Sequence, residues 1–585
     1  MNRLKKMSKF LFADVFEKFF ASWLFAGAVI MPSFSGVISI GSIDITGTII
    51  LFVLCYMCLS IASQKLRGIV YAVLPLSVLL FSCTLLYYNQ SIYTFIILAL
   101  FLVLSVHHYI SNRIPLKITL GTKHTIIIVT AFALFFLGSV TLLSVFRYLT
   151  YTAPNFDFGI FCNMYHNMRE SLKPLVSCER DKILSHFAVH FSPALYVFLP
   201  VYFIFPSPVT VAVCQTLAIY SGIIPFILIM KHRGLSQKTI CLLSVMFLAN
   251  AAFSAGCLFD FHENCLLVPF LMWMFYFYEK KKLPLMLLFT VLTLMVKEDA
   301  FIYVCVFAAY IFIADKKYRL GSALVLLAGA YFLCACWYIN NHGTGIMSDR
   351  FSSMINGDEG LFGMVKTVLF NPAYSTRQIL LTNESDSEKL FYVVQIFAPL
   401  AFIPFFTKKK IRLMLVLPVL LNLFTSYQYQ YNISFQYSFG ITTLLMYLSV
   451  LNVQDMKPKM KNMLCVSAAG IAAMLFFMLI VPNTVNDMKS YSEKNDMYTE
   501  MNEVLDTIPD DASVAASTFL IPHLWDREVL YEAYYTTHDD FEYLVLDVRG
   551  GYKEDSMRLA AEFEEKGYEP YDLSSEYIYI YKKAQ

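Results

Sequence analysis

Four short polar clusters interrupt an otherwise apolar chain, and they hold the residue types that acid–base and phosphate chemistry require. The first reads Asn155-Phe-Asp157-Phe-Gly159 and the second His186-Phe-Ala-Val-His190-Phe-Ser-Pro. The third reads Phe259-Asp260-Phe-His262-Glu263-Asn264 and the fourth Lys297-Glu298-Asp299. A carboxylate can take a proton from an attacking hydroxyl, and cations can neutralise a departing phosphate. Arg169, Lys173, Arg180 and Lys182, between the first two clusters, bring positive charge to the same stretch. His186 and His190, four residues apart, can share one helical face and ligate a metal, although lining a polar cleft or capping a helix is the commoner use of such a pair. Short turns between apolar segments must be polar in any case, so a local ion pair also explains Lys297, Glu298 and Asp299. The chain has no H-E-x-x-H, phosphate-binding glycine loop or G-x-S-x-G pattern, which argues against zinc-protease, ATPase and serine-hydrolase chemistry.

The elements that must position these clusters are membrane helices. The chain is 58% hydrophobic and 15% charged, whereas a soluble domain carries about a quarter charged residues. Apolar segments in lipid must pair every backbone polar group internally, so the repeated runs are helices. Runs near 19–41, 44–62, 68–87, 91–108 and 125–146 come first, with basic connectors SQKLRG and ISNRIPLKITLGTKH after the second and fourth. Later runs near 208–230, 239–257, 264–278, 283–296, 300–314, 320–341, 389–406, 410–428, 434–452 and 460–481 are joined by KHRGLSQK, EKKK, DKKYR, TKKKIR and DMKPKMK. Excess Lys and Arg mark cytoplasmic loops. That rule places the basic N-terminus in the cytoplasm as an uncleaved first span, and puts the loop 147–190 outside. Phe191 to Phe205, with Pro193 and Pro200, reads as an interfacial or re-entrant helix. The count becomes about 15 transmembrane helices, with the C-terminus outside and all four polar clusters on the outer side. Ionisable groups beside hydrocarbon are expensive unless paired, hydrated or ion-bound, which makes these clusters site candidates.

From Val485 onward 23 acids face 9 bases, so an acidic tail follows a basic membrane part, which argues against nucleic acid as a partner of that tail. ASVAAS, EVLYEA, YLVLDV and YIYIY read as strands and KEDSMRLAAEFEEKG as an amphipathic helix. The expected architecture is an all-α polytopic membrane protein with a small extracytoplasmic α/β C-terminal domain, whose simplest role is a solvated cap. Its divisions are 1–124 (four N-terminal spans), 125–485 (membrane core) and 486–585 (acidic domain). Cys55 and Cys58 lie within a span, where helix packing accounts for them. Cys162 and Cys178 share the long loop, which allows a disulfide. The outer run Tyr427-Gln-Tyr-Gln-Tyr431-Asn, with Gln436 and Tyr437, could stack on a sugar or form an interfacial aromatic belt.

FDFGIF, HFSPALYVFLPVYFIFPSPVTV, LFDFHEN and VKEDAFIYV together resemble the bacterial membrane-protein family catalogued as domain of unknown function 2079, from roughly residue 125 to the end. That family is similar, more distantly, to the GT-C superfamily of membrane glycosyltransferases, which share a first core span, a long external loop with an acidic motif, interfacial helices and further spans. The resemblance implies a GT-C-like core. It also implies transfer of a sugar from a polyprenyl-phosphate donor to an envelope glycan, lipid or protein acceptor, at the outer face of the plasma membrane. Asp157 matches the acidic residue of the loop and would be the catalytic base; a second Asp is missing from this motif. Arg169, Lys173 and Lys297 are candidates for phosphate contact. Asp260, His262, Glu263, Glu298 and Asp299, with His186 and His190, would shape the sugar or acceptor pocket or hold a divalent cation. A transporter or flippase of a lipid-linked substrate would instead place charged residues near mid-span and repeat its helices internally, and a noncatalytic assembly protein would use the clusters only to hold outer loops together.

Overall fold

The computed structural model of the protein describes residues 14–34, 38–66, 68–112, 119–343, 349–355, 360–380, 388–571 and 574–584. The basic N-terminal decapeptide and residues 113–118 of the second basic connector lie outside them. Among the described residues, nine helices are long and apolar enough to cross a membrane. They are Val15–Ser33, Ile45–Lys65, Ile69–Tyr88, Ile92–Ser111, Thr122–Leu149, Pro208–His232, Gln237–Phe259, Tyr318–His342 and Pro458–Glu493. The remaining apolar runs contain shorter helices, among them Leu267–Glu279, Leu283–Leu294, Phe301–Ala314 and Phe439–Asp455. Prolines at the start of several of these, and polar turns between them, keep them short. Phe191 to Phe205 is broken into a 3₁₀ turn, Pro193–Val197, and the six-residue helix Leu199–Ile204, too short to span a bilayer. Cys162 and Cys178 are both buried free thiols, so the disulfide that their shared loop allows is not formed; Cys55 and Cys58 are free on Ile45–Lys65.

The helical body has two polar ends. At one, the basic connectors are bonded to each other: Arg233 pairs with Glu279 and donates to Gln454 Oε1 at 2.6 Å, Tyr278 donates to Asp315, and Arg412 pairs with Asp455 at 2.7 Å. The other end gathers the four polar clusters of the sequence.

In the long loop, β1 (Leu175–Val176) and β2 (Leu184–Ser185) form a short antiparallel ladder. The C-terminal region holds β3 (Val514–Ala516), β4 (Leu530–Glu532), β5 (Tyr543–Asp547), β6 (Tyr568–Pro570) and β7 (Ile578–Lys583), in the order β4-β3-β5-β7-β6. β3 runs parallel to β4 and β5, and β7 is antiparallel to β5 and β6. Side chains alternate faces along a strand, and β5 shows the result. Leu544 and Leu546 pack with Ala560 and Phe563 of the helix Lys553–Glu564, while Tyr543 and Val545 belong to a second core. That second core includes Tyr498, Met501 and Leu505 from Asn495–Leu505 and also Tyr151, Ile160, Val176 and Cys178 from the long loop. The sheet is therefore more than a solvated cap: one face shares its apolar interior with the loop that carries Asp157.

Candidate active site

Asp157 sits on a single π turn, Asn155–Gly159, between the span Thr122–Leu149 and the helix Ile160–Ser171. Such turns break the regular ladder and re-aim a side chain. Here the half-buried carboxylate lines a cavity of about 670 Å³ with Glu179, Arg180, His186, His190, His262, Lys297 and Arg350, walled by the aromatic rings of Phe156, Phe259, Tyr427, Tyr429, Phe435, Tyr437 and Tyr535. No hydrogen bond to the Asp157 carboxylate is found among the described residues. Burial, and then the negative charges of Glu263 and Asp260, push its pKa well above the ordinary carboxylate range, against a smaller opposing pull from Lys297.

The floor beneath it is a set of paired charges. Glu263 is fully buried, 3.0 Å from Lys297 Nζ and 2.8 Å from His262 Nδ1. Neither Glu263 oxygen has a well-aligned hydrogen bond, so charge holds this contact more than directed bonding. Burial alone would raise the Glu263 pKa, but His262 and Lys297 hold it well below the usual range. Burial lowers His262 to about 4, which leaves a neutral imidazole at physiological pH, its Nδ1 also 3.1 Å from Asn264 Oδ1. The ion pair is therefore Lys297 with Glu263. His190 Nδ1 lies 2.9 Å from Glu298, whose second oxygen accepts from the Phe191 amide at 3.1 Å. Burial opposes ionisation of Glu298, yet His190 and Lys297 bring its pKa to about 2. Burial raises Asp299 to about 6, and one of its oxygens is buried without a hydrogen-bond partner among the described residues. His186 Nδ1 is 3.0 Å from Glu179, and its Nε2 is buried without a hydrogen-bond partner among the described residues.

Asp260 does not reach the cavity. Arg147, at the end of Thr122–Leu149, donates to its Oδ1 from Nε and Nη2, both at 3.2 Å. Burial still raises its pKa to about 6 against the pull of Arg147. Its backbone, at φ 70° and ψ −168°, occupies a region that residues with a Cβ rarely adopt. Gln215 holds it there, donating to the Asp260 carbonyl at 2.7 Å and accepting from the His262 amide at 2.6 Å.

Arg169 and Lys173 are not among the residues around the cavity. Arg169 lies near the far end of Ile160–Ser171 and pairs with its neighbour Glu170 at 3.2 Å, and Lys173 is exposed in the turn beyond. The cations that do reach the cavity besides Lys297 are Arg180 and Arg350. The Arg350 guanidinium stacks 4.5 Å from the Tyr427 ring centre and donates to the Tyr437 hydroxyl at 3.0 Å, while its carbonyl accepts from Thr425 and Ser426. These bonds fold the aromatic run that begins at Tyr427 over the cavity. Tyr431 departs from that pattern: it is buried, 5.1 Å from the Lys389 amine. Among the described residues no group of three or more His, Cys, Asp or Glu side chains converges as a metal-binding set, and both imidazoles of the His186/His190 pair already meet a glutamate through Nδ1.

A second cavity of about 510 Å³ adjoins the first. His190, Lys297, Arg350 and Tyr437 border both, and the rest of the second is largely apolar, including Phe301, Ile302, Phe332, Phe362, Val365 and Leu421; Glu298 and Asp299 also border it. The two spaces together form an amphipathic site with its cations at the junction.

No curated protein matches the chain. Among solved structures, ArnT from Cupriavidus metallidurans bound to undecaprenyl phosphate aligns with a TM-score of 0.47 and 10% identity, over 79% of this chain and 98% of that one. The family match spans residues 147–578, which contains all four motifs but begins later than residue 125 and leaves the span Thr122–Leu149 almost wholly outside. Over that stretch, which is well over half of its length, the chain belongs to the family described as Predicted membrane protein (DUF2079).

Proposed function

We propose that the protein is a membrane glycosyltransferase that moves a sugar from a polyprenyl-phosphate-linked donor to an acceptor on the outer face of the membrane. The observation that carries this reading is the junction of the two cavities. A lipid phosphate sugar needs an apolar space for its chain, cations at the phosphate and a polar space for the sugar, in that order. The apolar cavity, the Lys297–Arg350 boundary and the aromatic-walled cavity with Asp157 occur in that order here. The loop charges support the outer placement, because the basic connectors gather at the opposite end of the helical body.

In the reaction, the acceptor oxygen bonds to the anomeric carbon as the carbon–oxygen bond to phosphate breaks. Asp157 takes the hydroxyl proton, and the bonding pair leaves on the phosphate oxygen. Lys297, Arg350 and Arg180 would neutralise that departing charge, and Tyr427, Tyr429 and Tyr437 would bound the sugar. A raised pKa suits Asp157 to this task, since a base works best when its pKa lies near the operating pH. His262, Glu263, Glu298 and Asp260 act through others, by fixing Lys297, His190 and the strained loop.

The test uses purified protein with a panel of radiolabelled polyprenyl-phosphate sugars, with and without a divalent cation, comparing wild type with Asp157→Asn. Transfer by the wild type that is lost in the variant supports the reading. Absence of binding to every lipid-linked sugar would sink it and move the assignment to transport or assembly.

A further inference from the structure

The Asp157 turn is gripped from outside the membrane body. Its first amide, Asn155 N–H, donates to Thr518 Oγ1 at 3.1 Å, and Thr518 follows β3 of the C-terminal sheet. Asn155 Nδ2 donates to the Cys178 carbonyl at 3.0 Å, closing the turn against the long loop. At its other end, Gly159 packs so closely on the C-terminal region that an added Cβ would lie 2.9 Å from Ile521 Cγ2 and 2.9 Å from Asn155 Oδ1. Between these points the Phe156 ring meets Tyr535 edge to face at 5.7 Å, and both border the Asp157 cavity. Nearby contacts make the grip broad: Ser177 Oγ accepts from the Leu530 amide at 2.8 Å, and Asp181 accepts from the Thr537 amide and hydroxyl at 2.7 and 2.8 Å. His523 stacks on Tyr151 with ring centres 3.5 Å apart and meets the Tyr148 carbonyl at the end of the preceding span.

We infer that the C-terminal domain is a working part of the active site, with Thr518 and Ile521 as positioning residues that hold the turn carrying Asp157 and Tyr535 as one wall of its cavity. The inference rests on the proposed glycosyl transfer for its consequence in rate, but the grip itself is a property of the fold. A turn hydrogen-bonded at one end and closely packed at the other against the C-terminal region cannot shift without breaking those contacts. A carboxylate displaced by about 1 Å from its near-attack position loses on the order of a hundredfold in rate. Glu532 adds to the picture: it is 7% exposed on β4, its two oxygens are buried without well-aligned partners beside Asn155 and Thr518, and Cys178 is the titratable group facing it from the loop.

Full-length protein in lipid nanodiscs would be followed by hydrogen exchange on peptides covering residues 153–162, for wild type, Thr518→Val, Thr518→Ser and Gly159→Ala. Loss of one hydrogen bond to the turn should speed exchange there about five- to tenfold in Thr518→Val, while protection of β5 stays at the wild-type level. Gly159→Ala, which loosens the contact from the other side, should give the same local change. Thr518→Ser should restore protection to within about twofold. Transfer assays on the same samples should show kcat lowered at least about tenfold in the two loosened variants, with KM for the lipid donor nearly unchanged. Unaltered exchange in both Thr518→Val and Gly159→Ala would overturn the inference, as would faster exchange with full kcat. If exchange responds as expected but even the wild type transfers no sugar, the grip stands and the glycosyltransferase reading falls.

Discussion

At the basic end of the helical body, Glu279 binds Arg233 and also accepts from Tyr447, and Arg412 is held by Asp455, the Leu451 carbonyl and Asn452. At the cavity end, Lys297, His190 and Arg147 are paired in the same manner, but the first two border an open space, and Asp157 at its edge has no hydrogen-bond partner among the described residues. The first arrangement stitches helices together with each guanidinium paired to a carboxylate, although Arg233 Nε and Arg412 Nε are buried without a hydrogen-bond partner among the described residues. The second holds a carboxylate beside the negative charges of Glu263 and Asp260, only partly offset by Lys297, at a cost to stability. An unpaired charge kept in a cavity is a mark of function, whereas a charge-paired network is a mark of structure.

Substitutions at the two ends should therefore separate activity from stability. Asp157→Asn should lower transfer about a thousandfold while raising unfolding stability by about 1 kcal/mol, as removal of a destabilising active-site charge commonly does. The measurements are turnover on the lipid donor and thermal unfolding in detergent. Glu279→Ala should do the reverse: about 2 kcal/mol of stability lost, because half-buried Arg233 and buried Tyr447 lose their shared acceptor, with kcat/KM of the folded fraction close to wild type. A fall in activity without a stability change at Glu279 would break the comparison. Lys297→Met tests the boundary between the two behaviours, since Lys297 both neutralises Glu263 and reaches the cavity junction. It should weaken donor binding about tenfold and also lower the unfolding midpoint, whereas loss of only one of these would assign the lysine to one role.

The pH dependence follows from the same contrast. Asp157 acts as a base only when ionised, and its folded pKa lies well above the usual range. The acid limb of kcat/KM should accordingly fall at a pH where an ordinary carboxylate is still fully charged. Stability should move the opposite way: a carboxyl whose pKa is raised on folding contributes stability that is present below its unfolded pKa and lost as pH rises through the folded value. In Asp157→Asn that downward drift of the unfolding midpoint with rising pH should flatten. Parallel pH curves for wild type and variant would show that another group sets the limb.

How much of this was legible in the sequence differs between the same two kinds of residue. Fifteen apolar runs announce helices through composition alone, and four of the five strands of the C-terminal sheet announce themselves by alternation, since both are local patterns; the short edge strand β6 (Tyr568–Pro570) does not. Asp157, His186, His190, His262, Glu263 and Lys297 stand out because a polar residue is conspicuous among apolar neighbours. Arg350 and Glu179 reach the site only through tertiary folding, from segments already rich in polar residues, and nothing in their spacing marks them. Arg169 shows the converse. It has the charge that a phosphate needs, but it sits nine residues beyond the first residue of Ile160–Ser171, about 14 Å along the axis, and so pairs with Glu170 instead. Gln215 was visible as a polar residue within a span, yet its double hydrogen bond to the Asp260–His262 loop depends on the fold. The tie between the sheet and the Asp157 turn joins residues more than 350 positions apart, beyond any local pattern.

The smallest expected effect concerns the aromatic wall, where the cavity end differs from an ordinary interfacial belt. Tyr427, Tyr429, Phe259 and Phe435 form one connected cluster, with Phe259 and Phe435 centred 4.2 Å apart and Tyr429 and Phe435 4.6 Å apart. A belt tyrosine anchors a helix end in the headgroup region and touches lipid. Tyr429 is 39% exposed, borders the cavity and packs on a ring from the Asp260 loop, so its free face is available to a bound sugar. Stacking of a ring on a ligand is worth about 1 kcal/mol, and removal of uniform binding raises KM without altering kcat. Tyr429→Ala should thus raise KM about fivefold and leave kcat in place, and Tyr429→Phe, which keeps the ring, should behave as wild type. If Tyr429→Ala changes kcat and KM together, the ring holds the Asp260 loop rather than the sugar, and the aromatic wall then belongs with the structural contacts of the basic end.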